Sequence, residues 1–197
     1  PGTIDNDISC TEYTIGYDTA MNTAMEMVDK IRDTAMSHDR CSVVEVMGRN
    51  AGWIALNVGT AVGAMAIITP EVKFSMDDIV NKIKKSKENK RQHFIVVVSE
   101  GVGNIEEISK EIHDKTGIDS RTTILGHVQR GGSPTLRDRV VASEMGYYAV
   151  DLLDKGIGNR VVAMQSGKIV DFDIKEALAM KKPFDENLYR IADEISF

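Results

Sequence analysis

Cysteine is nearly absent, with only Cys10 and Cys41 in 197 residues. At most one bridge is available to a chain of this length, which excludes a disulfide framework; two buried reduced thiols in a cytoplasmic setting are expected. Basic charge is also short: 24 Lys and Arg face 30 Asp and Glu, a formal net charge of −6, with a pI near 5.3. A generic nucleic-acid binder needs a basic face to displace phosphate counterions, so that class is set aside, and any phosphate chemistry must use local arginines. Long apolar runs are missing too. The uncharged stretch from Ala51 to Pro70 is interrupted by Gly52, Asn57, Gly59, Thr60, Gly63 and Thr69, and no membrane partner is expected. No His/Cys set has zinc spacing, no Ser/His/Asp elbow occurs, and there is no internal repeat or low-complexity linker. An initiator methionine is lacking as well: the sequence opens at Pro1 inside what reads as a motif, so a piece of a longer polypeptide is expected.

What is present alternates. Ala24, Val28, Ile31 and Ala35 at helical spacing predict an amphipathic helix over 17–36. Ser42 to Met47 reads as a strand, followed by a glycine-containing turn and an apolar helix at 53–63. Met65 to Thr69 is the next strand. Ser75 with Asp78 predicts a capped helix to Lys87, His93 to Ser99 an apolar strand, and Asn104 with Glu107 the cap of a helix stopped by Gly117. Arg121 to Leu125 is a strand, His127 to Pro134 a loop, and Leu136 to Lys155 a long helix. Two short strands at 160–164 and 168–172 and a helical tail from Ile174 complete the chain. Strands alternating with helices predict an α/β fold, a parallel sheet with helices on both faces.

Ligands of such sheets gather outside the carboxyl ends of the strands. The positions just after the strands are polar here: Asp5 and Asp7, Arg49, Glu100, His127 and Arg130. Thr3, Asp5 and Asp7 share one side if the segment is extended, which suits magnesium handling or a base beside a metal-bound phosphate; an Asx-rich turn capping the next helix is the plainer alternative. Gly48-Arg49-Asn50-Ala51-Gly52 reads either as a tight turn or as a phosphate cradle at a helix start. Gly126-His127-Val128-Gln129-Arg130-Gly131-Gly132 joins two phosphate-capable side chains to glycines that admit close approach, against the alternative of a surface loop with a solvated arginine. Arg40 and Arg121 stand at the amino ends of their strands, about 17–20 Å from the opposite edge. Either they are surface charges or they complete a neighbouring subunit's site. Lys82 to Arg91 carries six basic residues in ten, a solvated helix face or an anion site.

Taken together, Pro1-Gly2-Thr3-Ile4-Asp5-Asn6-Asp7, Val46-Met47-Gly48-Arg49-Asn50-Ala51-Gly52, Pro70-Glu71-Val72, Ser99-Glu100-Gly101 and the run from Leu125 to Pro134 resemble bacterial-type 6-phosphofructokinases, in order and spacing over essentially the whole chain. The resemblance implies transfer of a phosphoryl group from MgATP to the 1-hydroxyl of fructose 6-phosphate in glycolysis. It makes Asp5 the base, with Thr3 and Ile4 beside it and Asp7 helping to organise the magnesium. It places Met47, Gly48, Arg49 and Glu100 along the sugar, with Arg49 near the transferring group. His127 and Arg130 would hold the 6-phosphate, with Arg40 and Arg121 arriving from the adjacent subunit of a homo-oligomer, a tetramer at full length. Gly2 favours ATP, since pyrophosphate-using relatives usually have lysine there.

The resemblance also implies an effector site drawing on Arg32, Gly63 and Arg91. Met65, where a metal-binding glutamate is expected, and Asn89, where a lysine is expected, argue against its usual regulation. It assigns 1–16 and 129–180 to a partial nucleotide-binding domain, and 17–128 and 181–197 to the fructose 6-phosphate-binding domain. The family's glycine-rich nucleotide loops lie before Pro1, so no turnover is expected from this chain alone. A pyrophosphate-dependent enzyme and a non-catalytic sugar-phosphate-binding module are the alternatives; the retained Asp5 speaks against the module.

Overall fold

Alternation within the strands decides the architecture. In the computed structural model, which describes residues 1–35, 40–89 and 93–196, Val44 and Val46 of β1 (Arg40–Val46) and Ile95 and Val97 of β3 (His93–Ser99) enter one hydrophobic cluster. Cys41, Val43, Phe94, Val96 and Val98 enter another on the opposite face. A strand with period two and both sets buried must be covered twice. Helices α1 (Tyr17–Ala35), α2 (Trp53–Ala61) and α7 (Glu186–Glu194) cover the first face, and α3 (Met76–Glu88) and α4 (Ile105–Thr116) the second.

The sheet is parallel in the order β2-β3-β1-β4, with β2 spanning Ala66–Ile68 and β4 spanning Asp119–Ile124. The expected fold class is therefore observed. One part departs from it: β5 (Arg160–Gln165) and β6 (Lys168–Asp173) pair antiparallel in a separate two-stranded sheet. The helical tail is two helices, α6 (Ile174–Ala179) and α7, separated by Met180 to Asp185.

Local chemistry explains the boundaries. Ser75 accepts a hydrogen bond from the Asp78 amide and starts α3 as its spacing predicts. Asn104 precedes α4 but sits in the left-handed region at φ 52° and makes no side-chain cap, so the expected cap is corrected: a residue that caps with its side chain typically holds an extended backbone. Thr135 caps α5 (Leu136–Asp154), its side chain accepting the Asp138 amide. The predicted loop at 127–134 opens as a 3-10 turn, Gly126–Arg130. Cys10 and Cys41 are both free and buried, as expected. Lys84, Lys85 and Lys87 are exposed on α3, which makes that basic stretch a solvated face over its described part. No helix of the described residues is long and apolar enough to cross a membrane.

Candidate active site

The register of the sheet brings the polar strand ends to one edge. Val46 is level with Ser99 and Glu45 with Ile124, so Met47, Glu100 and the 3-10 turn at Gly126 all emerge together. Glu100 uses Oε1 to accept the amides of Gly48 at 3.1 Å and Arg49 at 2.5 Å. Glu71 accepts the Gly52 amide at 2.8 Å. The amides that made this turn a candidate phosphate cradle are thus taken by the chain's own carboxylates, which resolves it as a tight turn. Gly48 at φ 148° and Arg49 at φ 57° give it its shape and leave the Arg49 side chain exposed.

Gly101 shows how closely this turn is packed. A Cβ there would lie 2.6 Å from the Arg49 carbonyl oxygen and 3.3 Å from the Asn50 Cα. Since backbone must shift to admit it, Gly101→Ala is expected to lower stability by about 1–3 kcal/mol. Urea unfolding measures the loss.

Gln129 is the link between this turn and the other loop. Its side chain is 1% exposed and its Oε1 accepts the Met47 amide at 2.8 Å, tying the segment that carries His127 and Arg130 to the end of β1. His127 and Arg130 are themselves exposed.

The Thr3 to Asp7 segment completes the cluster, although it is bent rather than extended. Asn6 adopts φ 54° between the two aspartates, and the Thr3 hydroxyl donates to Asp5 Oδ2 at 3.3 Å. Neither aspartate caps the next helix. That role falls to Asp138 from α5, which accepts the amides of Gly16 and Thr19 at 2.8 and 2.9 Å, so the plainer reading of the aspartates does not hold. Burial raises the Asp5 pKa above 3.8, Asp7 and Glu100 raise it further, and the Thr3 hydrogen bond and Arg130 pull it back. Asp5, Asp7, Glu100 and Arg130 therefore share one electrostatic environment. Glu45 joins the acidic side, raised by burial and then by Glu100.

Arg40 and Arg121 are elsewhere. Both bind Asp119 Oδ2, at 2.9 and 3.4 Å, at the amino edge of the sheet. Among the effector candidates, Arg32 donates to the carbonyl of Val62 beside Gly63, which has φ 60°. Met65 is 2% exposed and accepts from the Ser86 hydroxyl at 3.7 Å, so its side chain is committed to the core. Arg91 lies outside the described residues.

Sequence reasoning gave no individual role to Gln129, Glu71 or Asp138. Glu71 and Gln129 stood inside quoted motifs, but nothing in their spacing says which amides they accept. Among the described residues no group of three or more His, Cys, Asp or Glu is placed to hold a metal ion.

The family model described as phosphofructokinase matches residues 1–153. ATP-dependent 6-phosphofructokinases of Bacillus cytotoxicus and Clostridium botulinum are each 53% identical over 196 residues, covering all of this chain and 61% of their own length. The phosphofructokinase structure from Saccharomyces cerevisiae superposes with a TM-score of 0.86 at 34% identity, covering 98% of this chain and 26% of that one. A pyrophosphate-dependent phosphofructokinase from Marinobacter aquaeolei, at 21% identity and a TM-score of 0.81 over 95% of this chain and 53% of its own, shares the fold. A family model that accounts for 153 of 197 residues, with relatives matching from end to end, leaves one assignment: the chain belongs to the phosphofructokinase family.

Proposed function

We propose that this chain supplies the fructose 6-phosphate site and the catalytic base of an ATP-dependent 6-phosphofructokinase. The observation that carries it is Asp5, half-buried, with its pKa raised, and sharing its surroundings with Asp7, Glu100 and Arg130. A base for a sugar hydroxyl needs a carboxylate whose proton affinity has been lifted toward the working pH, and burial among carboxylates does that. As the 1-hydroxyl attacks the terminal phosphorus, its proton passes to Asp5, the new O–P bond forms, and the electron pair of the breaking bond leaves with ADP. Protein chemistry at the phosphorus is positioning and charge neutralisation. Arg49 answers the transferring group, and His127 and Arg130 the 6-phosphate.

Magnesium enters this reading with the nucleotide. Asp7 offers the hard oxygen such a cation takes, and one carboxylate with phosphates and water is a usual magnesium set. When bound, the ion would neutralise charge on the phosphates. Gly2 supports ATP as donor. It is exposed and a Cβ there meets nothing within 4 Å, so packing does not require glycine and what matters is the missing lysine charge. Assaying ATP and pyrophosphate with the full-length protein tests this: turnover with pyrophosphate alone would overturn it.

Electrostatics also supports a homo-oligomer, a tetramer in this reading. Asp5, Asp7, Glu45 and Glu100 are a poor field for a doubly anionic phosphate, and His127 and Arg130 do not outweigh them. Arg40 and Arg121, at the opposite edge of their own sheet and both paired with an exposed Asp119, are placed to serve a neighbouring copy. Arg121→Ser should then raise the fructose 6-phosphate KM by on the order of tenfold or more, the loss of one charged hydrogen bond. Mixed oligomers that supply an intact arginine from another subunit should recover affinity; absence of complementation would return Arg121 to the surface.

Segments 1–16 and 129–180 are proposed to belong to the nucleotide unit, and 17–128 and 181–197 to the sugar unit. The separate β5–β6 sheet with its own small cluster around Cys10, Ala163 and Ala177 supports the division. Leu136, Tyr147, Val150, Leu153 and Leu178 are each 66% exposed or more on α5 and α6, an apolar surface suited to further polypeptide. The chain spans 61% of the length of the relatives it matches, and turnover is proposed for the full-length protein in the cytoplasm. Arg32 and Gly63 are proposed to retain an effector position, altered at Met65 and Asn89.

A further inference from the structure

Lys182 lies between α6 and α7, 177 positions beyond Asp5 in sequence (182 − 5 = 177), yet it reaches the same turn. Its Nζ donates to the carbonyl oxygen of Asn6 at 2.8 Å and stands 4.9 Å above the centre of the Trp53 ring. Asn6 is the left-handed residue between Asp5 and Asp7, and it is 3% exposed. A carbonyl in such a buried turn has no strand partner and needs a donor. The Asn6 side chain holds the other flank, donating to the Glu12 carbonyl at 3.1 Å.

The ring beneath Lys182 is equally well placed. Trp53 begins α2, immediately after the Gly48 to Gly52 turn, and Phe184 packs against it at 5.6 Å. Lys182 therefore joins the aspartate turn, the arginine turn and the returning segment 180–185 in one contact. Burial pushes its pKa down to about 8, partly offset by Asp7 and Glu12, with the Cys10 thiol also facing it, so the ammonium is protonated at neutral pH. Arg130 thus bears on Asp5, and the charge of Asp7 bears on Lys182.

We propose that Lys182 is a positioning residue for the Asp5–Asp7 pair: it anchors the left-handed turn at Asn6 and counters the charge of Asp7, holding Asp5 in the orientation its base role requires. The base role rests on the proposed function; the anchor does not.

The test uses the full-length protein with Lys182→Met, Lys182→Gln and Lys182→Arg, reading amide exchange over residues 3–8 without substrate, thermal midpoint, kcat and KM. Lys182→Met is expected to speed exchange and lower kcat, each on the order of tenfold, with KM changed less than about twofold, the loss of one charged hydrogen bond. Arginine should restore both. Glutamine, a donor without charge, should keep exchange near the wild-type rate while kcat remains low, and this variant carries the test if the methionine one does not fold. Unchanged exchange in a folded Lys182→Met variant overturns the anchor, and a wild-type kcat in Lys182→Gln overturns the role of the charge. A rise in KM with kcat unaltered overturns the positioning role. Faster exchange in a protein that never phosphorylates fructose 6-phosphate supports the anchor and sinks the proposed function instead.

Discussion

Asp5→Ser in the full-length protein is expected to lower kcat by about 10²- to 10⁴-fold, the usual contribution of a positioned general base, with little change in fructose 6-phosphate affinity. In the proposed function Asp5 faces the reacting hydroxyl, whereas affinity for the sugar phosphate comes from the arginines and His127, so the two measurements separate. A second readout follows from its titration. Burial and Asp7 raise the Asp5 pKa, so the acid limb of kcat/KM should stand above the ordinary aspartate range.

Glu100→Gln should move that limb down by removing a negative neighbour while leaving an oxygen for the Gly48 and Arg49 amides, and Arg130→Gln should move it up. A limb that ignores both substitutions would remove Asp5 from the base role. The sign for stability is opposite to that for activity. With its folded pKa above its unfolded one, Asp5 binds more protons folded than unfolded, and stability falls as pH rises through that window. Asp5→Ser should therefore leave the protein at least as stable at neutral pH, which distinguishes lost chemistry from lost fold.

How far the chain's residues announce this site depends on the range of the interaction concerned. The parallel sheet was readable because Val43, Val44, Ile95, Val96 and their neighbours alternate under pure burial, a local signal with period two. Strand ends then located Asp5, Arg49, Glu100 and Arg130 without any contact being known. The two short strands β5 and β6 were also readable, but not their antiparallel pairing in a separate sheet, since short apolar runs do not state their partners or direction.

What spacing did not reveal is which acceptor meets which donor. Whether the Gly48 to Gly52 amides would await a phosphate depended on Glu71 and Glu100, 19 and 52 residues away from the amides they accept. Lys182 and Asn6 are separated by 176 positions. Such pairings follow from the packed fold, and no local pattern marks them. The family resemblance conveyed roles for single residues but not the fixing contacts behind them, so Gln129, Asp138 and Lys182 emerged only with three-dimensional structure.

Asp138→Ala should remove about 3 kcal/mol or more of folding stability, since several donors lose a buried charged acceptor at once. The carboxylate is 1% exposed. Its Oδ1 accepts the Tyr13 hydroxyl at 2.5 Å and the Gly16 amide at 2.8 Å, while Oδ2 accepts the Thr19 amide and hydroxyl. Those donors belong to the 1–16 segment and the first turn of α1, whereas Asp138 begins α5 just beyond Arg130. One side chain thus holds together the pieces that carry Asp5 and the His127–Arg130 turn.

Burial alone would push the Asp138 pKa up, but the Thr19 and Tyr13 hydroxyls and the Gly16 and Thr19 amides outweigh it and leave it below 3.8. Tyr13 is pushed upward by burial and by Asp138, so its phenol remains a donor throughout. A folded pKa below the unfolded one means that the ionised group stabilises above the unfolded value and that this is lost as pH falls through the folded one. Wild-type stability should therefore decline on the acid side by more than that of Asp138→Asn, which cannot titrate and presents an amide nitrogen to one of the two donor sets. Urea unfolding at neutral and acid pH measures both. A loss below about 1 kcal/mol in Asp138→Ala would mean that water replaces the carboxylate and that the junction is held by packing alone.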